Sequence, residues 1–223
     1  MSVKLILALD VESYAQAKHF VNKLYPKIKI FKVGSQLFTS CGPKIINFLH
    51  KKGAEVLLDL KFFDIPNTVS SAVKQAARLK VKMLTLHISG GKEMLEAAAN
   101  AGKKESLKLK ISRPLLIGVT VLTSQKANPQ DVLKLAKLGI DSGLDGVVCS
   151  VKEAAMLRKK IKKNFLIVTP GIRPKIKTKD DQKRVATAEE AIKAGSDFLV
   201  VGRPILEAKD PLRAAGKILS ESF

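Results

Sequence analysis

A run of residues with the pattern of a buried strand carries charged side chains that could form a reactive site. In 54-AEVLLDLKFFDIPNTV-69 most positions are apolar, yet Asp59, Lys61 and Asp64 fall within six positions. Side chains two apart on a strand point to the same face, so Asp59 and Lys61 are predicted to share one face while the neighbouring leucines pack on the other. The chemistry that such residues offer is electrostatic, because fixed charges of both signs would surround whatever binds there.

A fourth charged residue, Lys32, ends the preceding predicted strand and can join this group. Lys32 and Lys61 can interleave with the two carboxylates as plus, minus, plus, minus. Unit charges about 4 Å apart interact by about 4 kcal/mol at an effective dielectric constant of roughly 20, so alternation holds a dense charged set together. An ion-pair network that only fixes the strand ends is the alternative, although buried ion pairs are a poor source of stability.

These residues belong to a chain that alternates short β-branched runs with longer amphipathic ones. The predicted strands are 3–9, 28–34, 54–61, 81–87, 114–121, 145–149, 164–169 and 197–202. The predicted helices are 12–25, 39–52, 68–79, 91–105, 129–142, 151–163, 187–194 and 210–221. Eight such units without a dividing linker predict one domain over 1–223, folded as a closed (β/α)₈ TIM barrel. A doubly wound open sheet is the alternative, but its GxGxxG fingerprint is absent after the first strand.

Local signals support several of these boundaries. Thr187 and Glu190 form a capping box, which predicts a helix start at Thr187. Gly53, Gly139 and Gly195 each follow a helical pattern and are predicted to end a helix in a left-handed conformation.

Polar residues stand at the carboxyl ends of most predicted strands, where barrel enzymes do their chemistry. The first strand ends in Asp10, the fourth in His87, and Thr123 follows the fifth. Strands seven and eight lead into PGIR (170–173) and VVGRPI (200–205). Because these ends meet at one pole of a barrel, we expect their side chains to surround a single site.

The loops after strands seven and eight have the features of a phosphate site. Gly171 and Gly202 let the backbone approach a ligand closely, and Arg203 can bind a phosphate with two hydrogen bonds. The segment 173–186 is long and charged for a loop of this kind, and we expect it to close over the ligand, with Gln182 reaching inward.

Forty basic against twenty acidic residues give the chain a formal charge of +20. Nucleic-acid binding is one explanation, but only seven of the basic residues are arginine and interleaved aromatic residues are scarce. A lysine-rich surface is therefore the favoured interpretation, and no nucleic-acid partner is expected. The charge would still raise the local concentration of a small anionic substrate.

Other features narrow the class of protein. No apolar run reaches the roughly 18 residues that span a bilayer, and the first residues lack the pattern of a signal peptide. Two cysteines without CxxC and three histidines without HExxH give little support to a disulfide scaffold or a transition-metal site. We expect a cytoplasmic protein with no metal and no membrane partner.

Motifs along the whole chain resemble those of one known family, the orotidine 5′-phosphate decarboxylases in their bacterial short form. The matching segments are LALD (7–10), FKVG (31–34), DLKFFDIPNTV (59–69), VTVLTS (119–124), PGIR (170–173), DDQKRVAT (180–187) and VVGRPI (200–205). The third is highly specific, whereas PGIR alone would not be. The resemblance implies a (β/α)₈ barrel that converts orotidine 5′-phosphate to UMP as a homodimer, without metal or organic cofactor.

The resemblance also implies roles for individual residues. Lys61 would protonate C6 of the pyrimidine, and Asp59 would face the carboxylate of the substrate. Asp10 and Lys32 would contact the substrate from the first and second strands. In the homodimer the residues that reach the partner's site would be Asp64, Ile65 and Thr68. Further substrate contacts would come from Thr123, Arg173, Gln182, Gly202 and Arg203, with Gln182 and Arg203 at the phosphate.

Two positions depart from the family pattern, and one alternative activity stays open. Ala188 replaces a proline, and Ile88 stands where a smaller residue is common, but neither belongs to the charged set. Related sugar-phosphate decarboxylases and aldolases share the DxKxxD core and require magnesium. The IPNTV and DDQKRVAT segments favour the metal-free decarboxylase.

Overall fold

The computed structural model describes residues 3–173 and 186–220. Within them the strands are β1 (Lys4–Ala8), β2 (Ile30–Gly34), β3 (Glu55–Phe62), β4 (Met83–His87), β5 (Leu115–Val119), β6 (Gly146–Val148), β7 (Leu166–Thr169) and β8 (Phe198–Val201). The helices are α1 (Tyr14–Leu24), α2 (Ser35–Cys41), α3 (Lys44–Lys51), α4 (Pro66–Arg78), α5 (Gly91–Leu109), α6 (Pro129–Asp141), α7 (Val151–Lys160), α8 (Ala188–Lys193), α9 (Arg203–Leu206) and α10 (Pro211–Ser220).

The eight strands of the described ranges are parallel and close into a barrel in chain order. Each strand pairs with the next, and β8 returns to pair with β1, where Ile6 lies opposite Val200. The (β/α)₈ fold predicted from the alternation of elements is therefore confirmed. Its extension to one domain over 1–223 reaches beyond the described residues and stays a prediction.

Two apolar layers hold the barrel together, one inside it and one between the strands and the helices. Leu57 belongs to the cluster inside the barrel, whereas Leu58 packs against the helices. This alternation follows from the two-residue period of a strand. Both leucines are at most 2% exposed, and burying such a side chain contributes about 1.5–3 kcal/mol.

Helix starts are defined by the capping residues that the sequence contains. Thr187 accepts a hydrogen bond from the Glu190 N–H, and the Glu190 side chain accepts one from the Thr187 N–H, so the predicted capping box is confirmed. Ser13 and Gln16 form the same motif before α1. In the part of the chain that the structure describes, no helix is both long and apolar enough to cross a membrane.

Three predicted details of the helices are wrong or incomplete. The helix predicted over 39–52 is two helices, because the chain turns at Gly42 with φ of 56°. Gly139 lies inside α6, and Gly143 (φ 92°) makes the turn that follows α6. A Cβ atom at Gly139 would lie 3.0 Å from Ile88 Cδ1. This glycine therefore makes room for Ile88, which stands where the family commonly has a smaller residue. The short helix α9 was not predicted.

Candidate active site

A row of four ionised side chains crosses the carboxyl ends of the first three strands. Lys32 Nζ lies 2.7 Å from Asp10 Oδ1 and 3.4 Å from Asp59 Oδ2. Lys61 Nζ lies 2.9 Å from Asp59 Oδ1. We call Asp10, Lys32, Asp59 and Lys61 the charged row, and the sign of the charge alternates along it.

The members of the charged row differ in their exposure to solvent. The side chains of Lys32 and Asp59 are each 12% exposed, and that of Lys61 is 37% exposed. Lys32 is thus held between two carboxylates in the interior of the row. Both lysines line the cavity described below, and Lys61 is the more exposed of the two.

The pKa values of the two buried members move in the directions that keep both charged. Burial alone would lower the pKa of Lys32, but the carboxylates of Asp59 and Asp10 outweigh it and raise that pKa above its usual value. Burial alone would raise the pKa of Asp59, but the charges of Lys32 and Lys61 outweigh it and lower that pKa. Lys32 and Asp59 therefore both stay ionised at neutral pH.

Glycine at two strand ends gives these side chains their space. A Cβ atom at Gly34 would lie 3.0 Å from Lys32 Nζ and 3.5 Å from Asp10 Oδ1, so a larger residue would crowd this ion pair. Gly171, which follows β7 and lines the cavity, has φ of 81°, a conformation that glycine adopts without strain.

The backbone of β3 is irregular where it carries Lys61. Leu58 pairs with Leu84, but the next pair joins Phe62 to Leu86, and Lys61 has φ of 50°. The prediction that Lys61 continues a regular strand is therefore wrong for the backbone. The side chains of Asp59 and Lys61 still meet, as expected.

A cavity of about 420 Å³ opens beside the charged row at the carboxyl end of the barrel. Its floor is apolar and includes Leu57, Val168 and Val200. Among the described residues that line it, four are basic and three acidic, which gives the cavity a positive balance. The volume lies in the range of small-molecule sites, and the balance of charge suits an anionic ligand.

Two arginines line the cavity just beyond the carboxyl ends of β7 and β8. Arg203 is the first residue of α9 and follows Gly202, and both residues line the cavity. Arg173 is buried there, and its backbone N–H donates to the Ala186 carbonyl at 2.9 Å. These residues lie where the sequence predicted a phosphate, whereas Gln182 falls outside the described residues, as does most of the segment 173–186.

Thr123 also lines the cavity, but the three residues assigned to a partner's site do not belong to its described lining. Ile65 is 66% exposed, and Thr68 is exposed in the first turn of α4. The Asp64 carboxylate is exposed and accepts a hydrogen bond from the Ile65 N–H at 2.7 Å. These three side chains are therefore exposed and lie outside the described lining of their own chain's cavity.

His87 lies close to the charged row but is held uncharged. Burial, with a further contribution from the positive charge of Lys61, lowers its pKa, and its ring packs edge-on against Phe63 at 5.8 Å between centroids. This agrees with an ordinary packed histidine.

Thr85 on β4 is a member of the site that the sequence reasoning missed. It is 1% exposed and lines the cavity, and its hydroxyl donates to Asp59 Oδ1 at 2.8 Å. The sequence contained a signal for this residue. Thr85 stands two residues after Met83 and so points into the barrel, where the strands carry apolar side chains outside the charged row.

The fold and this site together define an enzyme of the TIM-barrel class. Paired charges surround a small-molecule cavity at the carboxyl ends of the strands, where such barrels hold their active sites. Across 3–173 and 186–220, no group of three or more His, Cys, Asp or Glu residues is arranged to hold a metal ion.

The chain belongs to the family described as orotidine 5′-phosphate decarboxylase / HUMPS, whose sequence profile matches residues 3–218. A protein of Coxiella burnetii named orotidine 5′-phosphate decarboxylase is 49% identical over 95% of this chain and 93% of its own length. One of the same name from Syntrophotalea carbinolica is 47% identical over 98% and 94%. The family resemblance that the motifs indicated is confirmed.

A solved structure agrees with this fold over nearly the whole chain. The crystal structure of orotidine 5′-phosphate decarboxylase from Lactobacillus acidophilus superposes with a TM-score of 0.86 at 36% identity and covers 99% of both chains. The barrel and its order of strands are therefore those of the family.

Proposed function

We propose that the chain decarboxylates orotidine 5′-phosphate to UMP, a step of de novo pyrimidine biosynthesis, without metal or organic cofactor. The observation that carries the proposal is the charged row, whose more exposed lysine, Lys61, lines a cavity of nucleotide size. The names of the relatives support the same reaction.

In this reaction Lys61 supplies a proton and a positive charge. The bond between C6 and the carboxylate carbon breaks, CO₂ leaves, and the electron pair stays on C6. The ammonium of Lys61 stabilises that pair and then donates a proton to C6, and Lys61 regains a proton from water. Its exposure to the cavity and its contact with Asp59 support this role.

Asp59 and Lys32 hold the charges in place before the reaction begins. Asp59 faces the substrate's carboxylate, and its repulsion of that group ends when CO₂ leaves, whereas Lys32 keeps Asp59 ionised. Charges fixed in advance need no rearrangement during the reaction. We further assign substrate contacts to Asp10, Thr123 and Gly202, all of which line the cavity.

The arginines at the other side of the cavity bind the 5′-phosphate in this proposal, together with Gln182. Contacts to a remote phosphate supply binding energy that helps to position the reacting carbon. The supporting observation is that Arg173 and Arg203 line the cavity and follow β7 and β8. The loops after these two strands form phosphate sites in many barrels.

Arg203→Ala is expected to raise KM for orotidine 5′-phosphate by about 10- to 100-fold, the range for losing hydrogen bonds to a charged group. Turnover of orotidine, which lacks the phosphate, should hardly change. The matched control is Arg213→Ala, because Arg213 is exposed on α10 and does not line the cavity. An unaltered KM, or an equal loss with orotidine, would contradict the assignment.

We also propose that the enzyme is a homodimer in which Asp64, Ile65 and Thr68 complete the partner's site. Their exposure and their absence from the described lining of their own cavity support this arrangement. Asp64 would then extend the alternation of the charged row by one more carboxylate, opposite Lys61.

The direct test is turnover of orotidine 5′-phosphate by the purified protein in excess EDTA, followed by UMP formation. Undiminished turnover is expected, because both carboxylates of the charged row are already paired with lysine. No turnover by a correctly folded dimer would refute the proposal. Activity that EDTA removes and magnesium restores, with a sugar phosphate as substrate, would instead support the magnesium-dependent branch of the family.

A further inference from the structure

The pairing of β3 with β4 is interrupted at the active site. Between the pairs Leu58–Leu84 and Phe62–Leu86, three residues of β3 lie opposite a single residue of β4, which is Thr85. The strand β3 therefore contains two extra residues at this point. Such interruptions leave backbone groups without their regular partners and redirect side chains, and they occur often beside active sites.

The unusual backbone conformation of Lys61 lies within this interruption. Lys61 has φ of 50°, a left-handed conformation that few residues with side chains adopt. Its backbone N–H donates to the Thr85 hydroxyl at 3.0 Å. A side-chain oxygen thus takes the place that a backbone carbonyl has in a regular ladder.

The same hydroxyl has one proton, which it donates to Asp59. Thr85 Oγ1 lies 2.8 Å from Asp59 Oδ1, and this carboxylate oxygen also accepts from Lys61 Nζ at 2.9 Å. The contacts close a ring that runs from the Lys61 backbone through Thr85 and Asp59 to the Lys61 side chain. Because Thr85 is only 1% exposed, solvent water cannot take over the hydrogen bonds of its hydroxyl.

We propose that Thr85 is a positioning residue, whose hydroxyl fixes both the backbone of Lys61 and the carboxylate of Asp59 for reaction. The inference rests on the decarboxylation proposed above. Threonine suits this place because its hydroxyl accepts from one group while it donates to the other. Its methyl group fills the apolar interior at the same time. Valine would keep the shape and lose both contacts, whereas serine would keep the contacts.

Thr85→Val is expected to lower kcat for orotidine 5′-phosphate by about 10- to 100-fold, the range for hydrogen bonds to charged groups. Thr85→Ser should restore most of the loss. Because the Thr85 hydroxyl helps to lower the pKa of Asp59, the valine variant should have a higher Asp59 pKa. Activity needs the ionised carboxylate, so the acid limb of its pH–rate profile should move to higher pH.

The matched control is Thr120→Val, which removes a second buried threonine hydroxyl at the same end of the barrel. Thr120 Oγ1 donates to the Val148 carbonyl at 3.0 Å, and Thr120 does not line the cavity. Wild-type kcat is expected for this variant. Equal losses in Thr120→Val and Thr85→Val, or equal losses in Thr85→Val and Thr85→Ser, would overturn the proposal, because general packing would then explain the effect.

A measurement without substrate separates this inference from the proposed function. Hydrogen exchange of the Lys61 amide should be slow in the wild type and in Thr85→Ser, and faster in Thr85→Val. That result would support the positioning role even if orotidine 5′-phosphate were not turned over. Unchanged exchange in Thr85→Val, with kcat and the acid limb also unchanged, would overturn it.

Discussion

Replacing Lys61 by alanine is expected to lower kcat for orotidine 5′-phosphate by more than about 10⁴-fold, because general acid catalysis and charge stabilisation are lost together. The fold should persist, since the Lys61 side chain is partly exposed and Asp59 keeps its contacts with Lys32 and Thr85. The measurement is the single-turnover rate of UMP formation, together with thermal unfolding of the same sample.

The control for Lys61→Ala is a second lysine that pairs with a carboxylate on β3. Lys82 is paired with Glu55, which begins β3 at the opposite end of the barrel from the cavity. Lys82→Ala therefore removes a comparable ion pair without touching the site, and near-normal kcat is expected. If Lys61→Ala also kept a near-normal kcat, Lys61 would not be the proton donor.

Mixing two inactive variants is expected to restore activity if each site is built from two subunits. In a hybrid dimer of Lys61→Ala and Asp64→Asn, one site carries both defects and the other carries neither. Random assortment makes half of the dimers hybrid, so activity should recover to about one quarter of wild type from nearly none. The two variants can be co-expressed with different tags and the mixture assayed for UMP formation.

The mixed pair Lys61→Ala and Lys32→Ala is the matched negative control. Both residues serve their own subunit in this proposal, so neither site of a hybrid dimer would be intact and no recovery is expected. Failure of the first mixture to recover, with hybrid dimers demonstrated by sequential purification on the two tags, would place Asp64 outside the partner's site.

Much of the barrel can be predicted from sequence because a strand of a parallel sheet buries both faces. In IFKVG (β2) only Lys32 interrupts the apolar run, and its position near the carboxyl end marked it as a site residue. The break between α2 and α3 was also readable, because Gly42–Pro43 is a turn signal. The role of Gly139 could not be predicted from the sequence, because the residue that it makes room for, Ile88, belongs to another βα unit and contacts it only in the folded chain.

The candidate site was predictable as far as it depends on topology. Once eight parallel strands close in order, charged residues at their carboxyl ends must meet, and Asp10, Lys32 and Asp59 do so. The backbone of Lys61 and the contacts of Thr85 depend instead on the register between two strands. Apolar patterning does not specify a register that changes partway along a strand, because the two extra residues leave the pattern of buried positions before them intact.

The interruption in β3 limits how this site can be moved to another protein. Idealised designed barrels use strands of uniform length and regular geometry, and a Lys61 placed on such a strand would lose its left-handed backbone. A designer who grafted only the Asp59–Lys61 pair would therefore obtain the right residues in the wrong arrangement. The segment that would have to be transferred is 58–62, including its two inserted residues, together with a hydroxyl-bearing residue on the adjacent strand.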